Sequence, residues 1–245
     1  MFNLLVEEGN FKGLPYIHIS PRGGGHSTMV YYHGWNSSAE SSIFRGKILA
    51  SFGFDTYLPD ALYHGRRRSP DHSTEGEVDW NELFKVIERN RQEFQVFYDQ
   101  LKGEKIYLAG HSMGAMTTGA ILATYPVQGA LSLNGAFDFS GFARFYGAQV
   151  DFQEVLNPMD RLDQFKDKTL FLGNGREDIT VLAPYQESFY HALEETGQGP
   201  WTFQVFEGTG HVVTTNMLEG GLDFLFQEDP HLSRIKKNWT KEASK

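Results

Sequence analysis

A serine stands between two glycines in the run Gly110-His111-Ser112-Met113-Gly114, directly after a short apolar stretch and directly before a helix-forming one. The G-x-S-x-G spacing demands a strand, a sharp turn and a helix in immediate succession. In so tight a bend, side chains at Gly110 and Gly114 would collide with neighbouring backbone, so both positions need hydrogen in place of Cβ. The turn lifts the Ser112 hydroxyl clear of the sheet and aims it at the start of the following helix. The rest of the chain has to supply a strand for the turn to leave and a layer for its helix to cover.

The remaining pattern supplies both. Strand-like runs at 16–19, 28–32, 54–58, 105–109, 130–133, 169–172 and 201–206 alternate with helical spacing at 41–52, 77–101, 113–124, 184–196 and 214–226. In the helix at 41–52, Ile43, Phe44, Ile48 and Leu49 fall on one side. Several strands are apolar throughout, which predicts an α/β domain whose mostly parallel sheet is covered on both faces. Ligands on such sheets collect beyond the carboxyl ends of the strands. The 245 residues are 40% hydrophobic and 22% charged, enough for one sizeable core, and a single domain is expected over 1–245. The rhythm breaks at 137–159, where Phe137, Phe139, Phe142, Phe145, Tyr146 and Phe152 crowd together; this reads as a small cap-like insertion over the site. After Pro230 the tail is polar and lysine-bearing, and reads as a short helix or frayed end.

Charge and composition exclude several function classes. A net charge of -9 argues against nucleic acid as a partner. With no cysteine there is no thiol nucleophile, disulfide or cysteine metal site. No H-E-x-x-H pair appears, so no metal and no other cofactor is expected. No apolar run approaches the roughly 20 residues that span a bilayer. Residues 1–12 lack a basic start followed by an apolar core, so a cytoplasmic protein without a membrane partner is expected. The oligomeric state is left open.

A serine hydroxyl is a weak nucleophile. It needs a general base within hydrogen-bond reach, and that base needs an orienting group. After a G-x-S-x-G turn the expected chain order is Ser, then Asp or Glu, then His. Asp178 lies in the turn Gly173-Asn174-Gly175-Arg176-Glu177-Asp178, just beyond the strand at 169–172. His211 ends Glu207-Gly208-Thr209-Gly210-His211, just beyond the strand at 201–206. Loops on adjoining strands can converge on one point.

With these pieces in place, the chain resembles the α/β-hydrolase superfamily, in particular small bacterial serine esterases of its prolyl-oligopeptidase-like branch. The resemblance rests on Tyr32-His33-Gly34-Trp35, on Leu58-Pro59-Asp60 followed by His64-Gly65, on the Ser112 turn, on the turn carrying Asp178, and on Gly210-His211. These run in family order from about residue 15 to residue 228. The resemblance implies an α/β-hydrolase fold with a sheet of about eight strands. It implies a carboxylesterase that cleaves a small-molecule ester of a small or medium acyl group through an acyl-serine intermediate. Ser112 would attack, His211 would carry the proton and Asp178 would orient the imidazole. The backbone N–H groups of Met113 and Trp35 would hold the oxyanion.

Each reading has a plainer rival. Asp138, after the strand at 130–133, is an alternative acid, and Glu177 a lesser one. Asp178 could simply cap its turn. His33 and His111 each neighbour a backbone feature and read as structural, although His33 also stands among the residues that could line a substrate pocket, with Phe137, Phe142, Phe145 and Tyr146. Arg66-Arg67-Arg68 reads as a solvated basic loop, or as a recognition patch for an anionic group. A thioesterase or amidase would use the same machinery. A ligand-binding protein on this scaffold need not retain it.

Overall fold

The computed structural model describes residues 3–72, 74, 76–101 and 103–242. Eight strands form one sheet: β1 (Leu4–Phe11), β2 (Leu14–Pro21), β3 (Ser27–Tyr32), β4 (Phe54–Pro59), β5 (Ile106–His111), β6 (Gly129–Leu133), β7 (Thr169–Gly175) and β8 (Trp201–Phe206). Their order is β1-β2-β4-β3-β5-β6-β7-β8. β2 runs antiparallel to both β1 and β4, and all other pairings are parallel.

Seven α-helices are found among the described residues: α1 (Ile43–Ser51), α2 (Trp80–Gln100), α3 (Met113–Leu122), α4 (Phe139–Tyr146), α5 (Pro184–Thr196), α6 (Thr215–Glu228) and α7 (Pro230–Glu242). Successive side chains of a strand point to opposite faces, and each face of this sheet has its own cluster. Met29, Tyr31, Tyr107, Ala109, Leu131 and Phe171 point toward α1, α6 and α7. Val30, Tyr32, Ile106, Leu108, Ala130, Leu170 and Leu172 point toward α2, α3 and α5. Every residue of β3, β6 and β7 is buried, which is why these strands are nearly continuous apolar runs.

The structure departs from the sequence reading in a few places. β1 was not anticipated. It is an edge strand whose residues are exposed or half-buried, so LLVEEGNF carries no clean period of two. Phe44 does not join Leu49 inside but is 67% exposed. α2 starts at Trp80 rather than 77, because the Asp79 carboxylate accepts the Asn81 and Glu82 N–H groups at 2.9 and 3.2 Å. β5 and β7 run on to His111 and Gly175, carrying ladder pairing to the edge of the site. The tail forms α7. Met1 and Phe2 of the opening segment and residues 243–245 of the tail lie outside the described residues. None of the described helices is long and apolar enough to cross a membrane.

The segment between β6 and β7 carries α4 and a 3-10 stretch, Pro158–Phe165. α4 buries Phe139, Phe142 and Ala143. They pack with Leu83, Phe84 and Ile87 of α2 and Met113 and Met116 of α3 in a third apolar cluster at the carboxyl end of the sheet.

Candidate active site

Ser112 separates β5 from α3 with φ 56 and ψ -121. The two glycines explain how the bend closes. A Cβ on Gly110 would lie 2.3 Å from the Gly114 carbonyl oxygen, and one on Gly114 would lie 2.0 Å from that of Tyr32. The backbone is pinned further by the Ser112 N–H, which donates to the Leu133 carbonyl at 3.0 Å, and by the Ser112 carbonyl, which accepts the Met116 N–H at 3.0 Å.

His211 comes from the loop between β8 and α6. Its Nε2 stands 2.8 Å from Ser112 Oγ and its Nδ1 stands 2.7 Å from Asp178 Oδ2. With a carboxylate facing Nδ1, that nitrogen carries the proton and donates to Asp178, leaving Nε2 to accept from the serine hydroxyl. Asp178 is buried. Its second oxygen, Oδ1, accepts the Thr180 and Val181 N–H groups at 2.8 and 2.9 Å. Asp178 therefore caps its turn and faces His211 at once, one oxygen for each task.

The rival carboxylates are committed elsewhere. Asp138 Oδ1 accepts the Gly141 N–H at 2.9 Å and so caps α4. Glu177 accepts the Gly208 and Thr209 N–H groups at 3.1 and 2.6 Å, tying the turn after β7 to the loop before His211.

Met113 is the first residue of α3, where an amide has no intrahelical acceptor. Gly34 packs directly against the turn: a Cβ there would lie 3.4 Å from Ser112 Cβ and 3.2 Å from His111 Nδ1. Trp35 follows it, and its ring joins the same apolar cluster as Met113.

The expected pocket residues separate. Phe142 and Tyr146 belong to that cluster, and the Tyr146 hydroxyl donates to the Thr180 carbonyl at 2.7 Å, beside the Asp178 turn. Phe145 points outward and is 60% exposed. Phe137 is a correction: it lies in the core under α5, stacked edge-on against Phe189, because its register on the segment after β6 turns it into the sheet-facing layer. His33 is a second correction. It is buried, its Nδ1 donates to the Gly34 carbonyl at 2.8 Å, and its Nε2 accepts the Ala61 N–H at 3.1 Å. Both ring nitrogens are spent on backbone, and burial holds the imidazole down at about 4. His111 is held lower still, at about 3, by burial first and then by the neighbouring His211.

The arginine loop is neither a free basic loop nor an open anion patch. Arg66 pairs with buried Asp60 at 2.6 Å, and Arg67 forks onto both oxygens of Glu93 on α2 at 2.7 and 2.8 Å. Arg66 and Arg68 line a cleft of about 590 Å³ that they share with Glu7, Glu8, Glu40 and Asp60, so carboxylates already face the guanidinium groups there.

The sequence reading did not single out Asn134. It is fully buried, sits at φ 51 just after β6, and bonds to the end of β7, three residues before Asp178, and to the loop that carries His211. The one available signal was a polar residue placed between an apolar strand and Gly135.

The sheet order, the turn between β5 and α3, and the Ser-His-Asp arrangement define a protein of the α/β-hydrolase class. The family description "Alpha/beta hydrolase family" matches residues 23–201, and the chain belongs to that family. Esterase YjfP of Escherichia coli (strain K12) is 27% identical over 248 residues, spanning 91% of this chain and 98% of its own. TT1662 from Thermus thermophilus is similar in structure, with a TM-score of 0.75 at 24% identity over 92% of this chain and 98% of that one. A puromycin-hydrolyzing peptidase of Mycobacterium tuberculosis matches at a TM-score of 0.69 and 18% identity, over 93% of this chain but 39% of the peptidase.

Proposed function

We propose that this protein is a carboxylesterase-type serine hydrolase whose nucleophile, base and acid are Ser112, His211 and Asp178. The observation that carries the proposal is the continuous relay from Ser112 Oγ to His211 Nε2 at 2.8 Å and from His211 Nδ1 to Asp178 Oδ2 at 2.7 Å. As Ser112 Oγ attacks the acyl carbon, its proton passes to His211 Nε2. Asp178 stabilises the imidazolium without taking the proton. The tetrahedral oxyanion is held by the backbone N–H groups of Met113 and Trp35, each worth roughly 3 kcal/mol of barrier. His211 then protonates the departing alcohol. Water, deprotonated by the same imidazole, attacks the acyl-serine, and the imidazolium returns that proton to Ser112 Oγ as the acid leaves.

The substrate in this reading is a small-molecule ester whose acyl group lies against the apolar cluster that holds Met113, Trp35, Phe142 and Tyr146. Ester rather than peptide chemistry is favoured by the likeness to esterase YjfP along nearly its whole length, against coverage of 39% of the peptidase. A cytoplasmic location belongs to the same proposal, and fractionation of cells with the activity in the soluble fraction would support it.

The test is a fluorophosphonate probe combined with p-nitrophenyl esters of graded acyl length, run beside thioester and amide analogues. The probe is expected to label the folded protein at Ser112, esters are expected to turn over faster than amides, and Ser112→Ala is expected to lose both labelling and turnover. A folded protein that resists the probe, or a Ser112→Ala variant that still hydrolyses esters, would remove the assignment.

A further inference from the structure

The last residue of β6, Leu133, and the next, Asn134, bond to the backbone of or near all three members of the relay. The Leu133 carbonyl accepts the Ser112 N–H at 3.0 Å. Asn134, the next residue, uses both ends of its side-chain amide. Its Oδ1 accepts the Gly175 N–H at 2.8 Å, three residues before Asp178, and its Nδ2 donates to the Val212 carbonyl at 2.9 Å, one residue after His211. Its own N–H donates to the Gly173 carbonyl at 2.7 Å.

Two features make this more than a satisfied buried amide. Asn134 stands at φ 51, where only glycine is at ease and asparagine is among the better tolerated alternatives. That conformation places the amide between the end of β7 and the His211 loop, which no ladder pairing joins at Gly175 and Val212. Val212 lies beyond the end of β8, and its side chain is 55% exposed. The first half of the loop packs on the end of β7 at Gly175 and is held by Glu177, whose carboxylate accepts the Gly208 and Thr209 N–H groups and whose own N–H donates to the Thr209 carbonyl at 3.0 Å; Asn134 holds the second half at Val212.

We propose that Asn134 is a positioning residue for the reaction: it fixes the His211 loop relative to the Asp178 turn and the Ser112 bend, and so sets the two relay distances. It touches neither substrate nor the reacting atoms. The proposal rests on the reading of Ser112, His211 and Asp178 given above.

Asn134→Gly tests it with the least disturbance, because glycine accepts the left-handed backbone while removing both side-chain bonds. The expected result is a folded protein in which kcat for p-nitrophenyl acetate falls roughly 10- to 100-fold, since a misplacement of about 1 Å costs this much. KM should stay within about twofold, because the loss falls on the transition state. The rate of fluorophosphonate labelling should fall by the same factor as kcat, since the same serine and imidazole carry out that step. A residue that merely supported the fold would lower the folded fraction and leave kcat per folded molecule alone.

Asn134→Asp is the second variant. It keeps an acceptor for the Gly175 N–H and sets an oxygen against the Val212 carbonyl; it is expected to slow kcat at least as much. A folded Asn134→Gly protein with kcat within twofold of the parent overturns the proposal, as does failure of both variants to fold, which would make Asn134 structural. An unlabelled parent protein would instead defeat the underlying site reading. A labelled, active parent with an equally active Asn134→Gly variant defeats only this inference.

Discussion

Ser112 occupies backbone space that L-residues avoid, at φ 56 and ψ -121. Such a conformation costs about 1–3 kcal/mol and persists only when its surroundings over-determine it. Here they do, through the Leu133 and Met116 hydrogen bonds and through the close approach of Gly114 to Tyr32. The strain is what presents the hydroxyl to His211. Replacing Ser112 by glycine should release it: Ser112→Gly is expected to be inactive toward esters yet more stable than Ser112→Ala by about 1 kcal/mol, the strain relieved less the extra unfolded-state freedom of glycine. Urea unfolding of the two variants checks this, and a glycine variant less stable than the alanine one would contradict it. At this scale the sequence was informative because a G-x-S-x-G run admits few backbone paths. Nearness in sequence to the site says nothing about which way a side chain turns: Phe137 and His33 both turn inward, against the pocket alternative, and the structural reading of His33 holds.

Among the elements, α4 and its cap separate two aspartates that look alike in the sequence. Asp138 opens α4 and Asp178 faces His211. Losing an N-cap carboxylate costs about 1 kcal/mol of stability. Losing the carboxylate that orients a catalytic imidazole costs roughly 10³- to 10⁴-fold in kcat. Asp138→Ala is therefore expected to lower unfolding free energy by about 1 kcal/mol with kcat changed less than about threefold, while Asp178→Asn is expected to fold normally and lose nearly all turnover. Steady-state kinetics of both, beside thermal melts, would show the reverse pattern if the acid were Asp138. Element boundaries followed the sequence where a period was strong: α5 and β8 run over the anticipated residues. They failed at β1, whose half-exposed edge position leaves no alternation to read, and at the start of α2, where the Asp79 cap, not the apolar period, fixes the first turn.

For the whole molecule, the sheet packs buried histidines close to the site, and this sets a dependence on acidity. Burial holds His33 at about 4 and His111 at about 3, below the unfolded value of about 6.5. Below about pH 6.5 the unfolded chain takes up protons that the folded one refuses, so stability is full above that pH and falls as the solution is acidified, levelling only near the folded values. Two such groups are expected to remove about 4 kcal/mol between pH 7.5 and 5.0. Denaturant unfolding at the two pH values measures this, with His111→Phe expected to lose less on acidification than the parent. Equal stability at both pH values would show that these imidazoles are not held neutral by the fold.

Much of this was written locally. Apolar strands buried on both faces, helices at their own period and a serine between glycines follow from steric and hydrophobic rules that act over a few residues, and they dictated a mostly parallel α/β sheet with a nucleophile-like hydroxyl at its carboxyl edge. What local rules could not choose was which carboxylate faced the imidazole, that Arg66 and Arg67 would be spent on Asp60 and Glu93, and that Asn134 would join the end of β7 to the His211 loop, 41 and 78 residues away. Those choices are made by partners that come near only once the sheet has formed, because a buried polar group must take whatever donor or acceptor the packed chain brings to it.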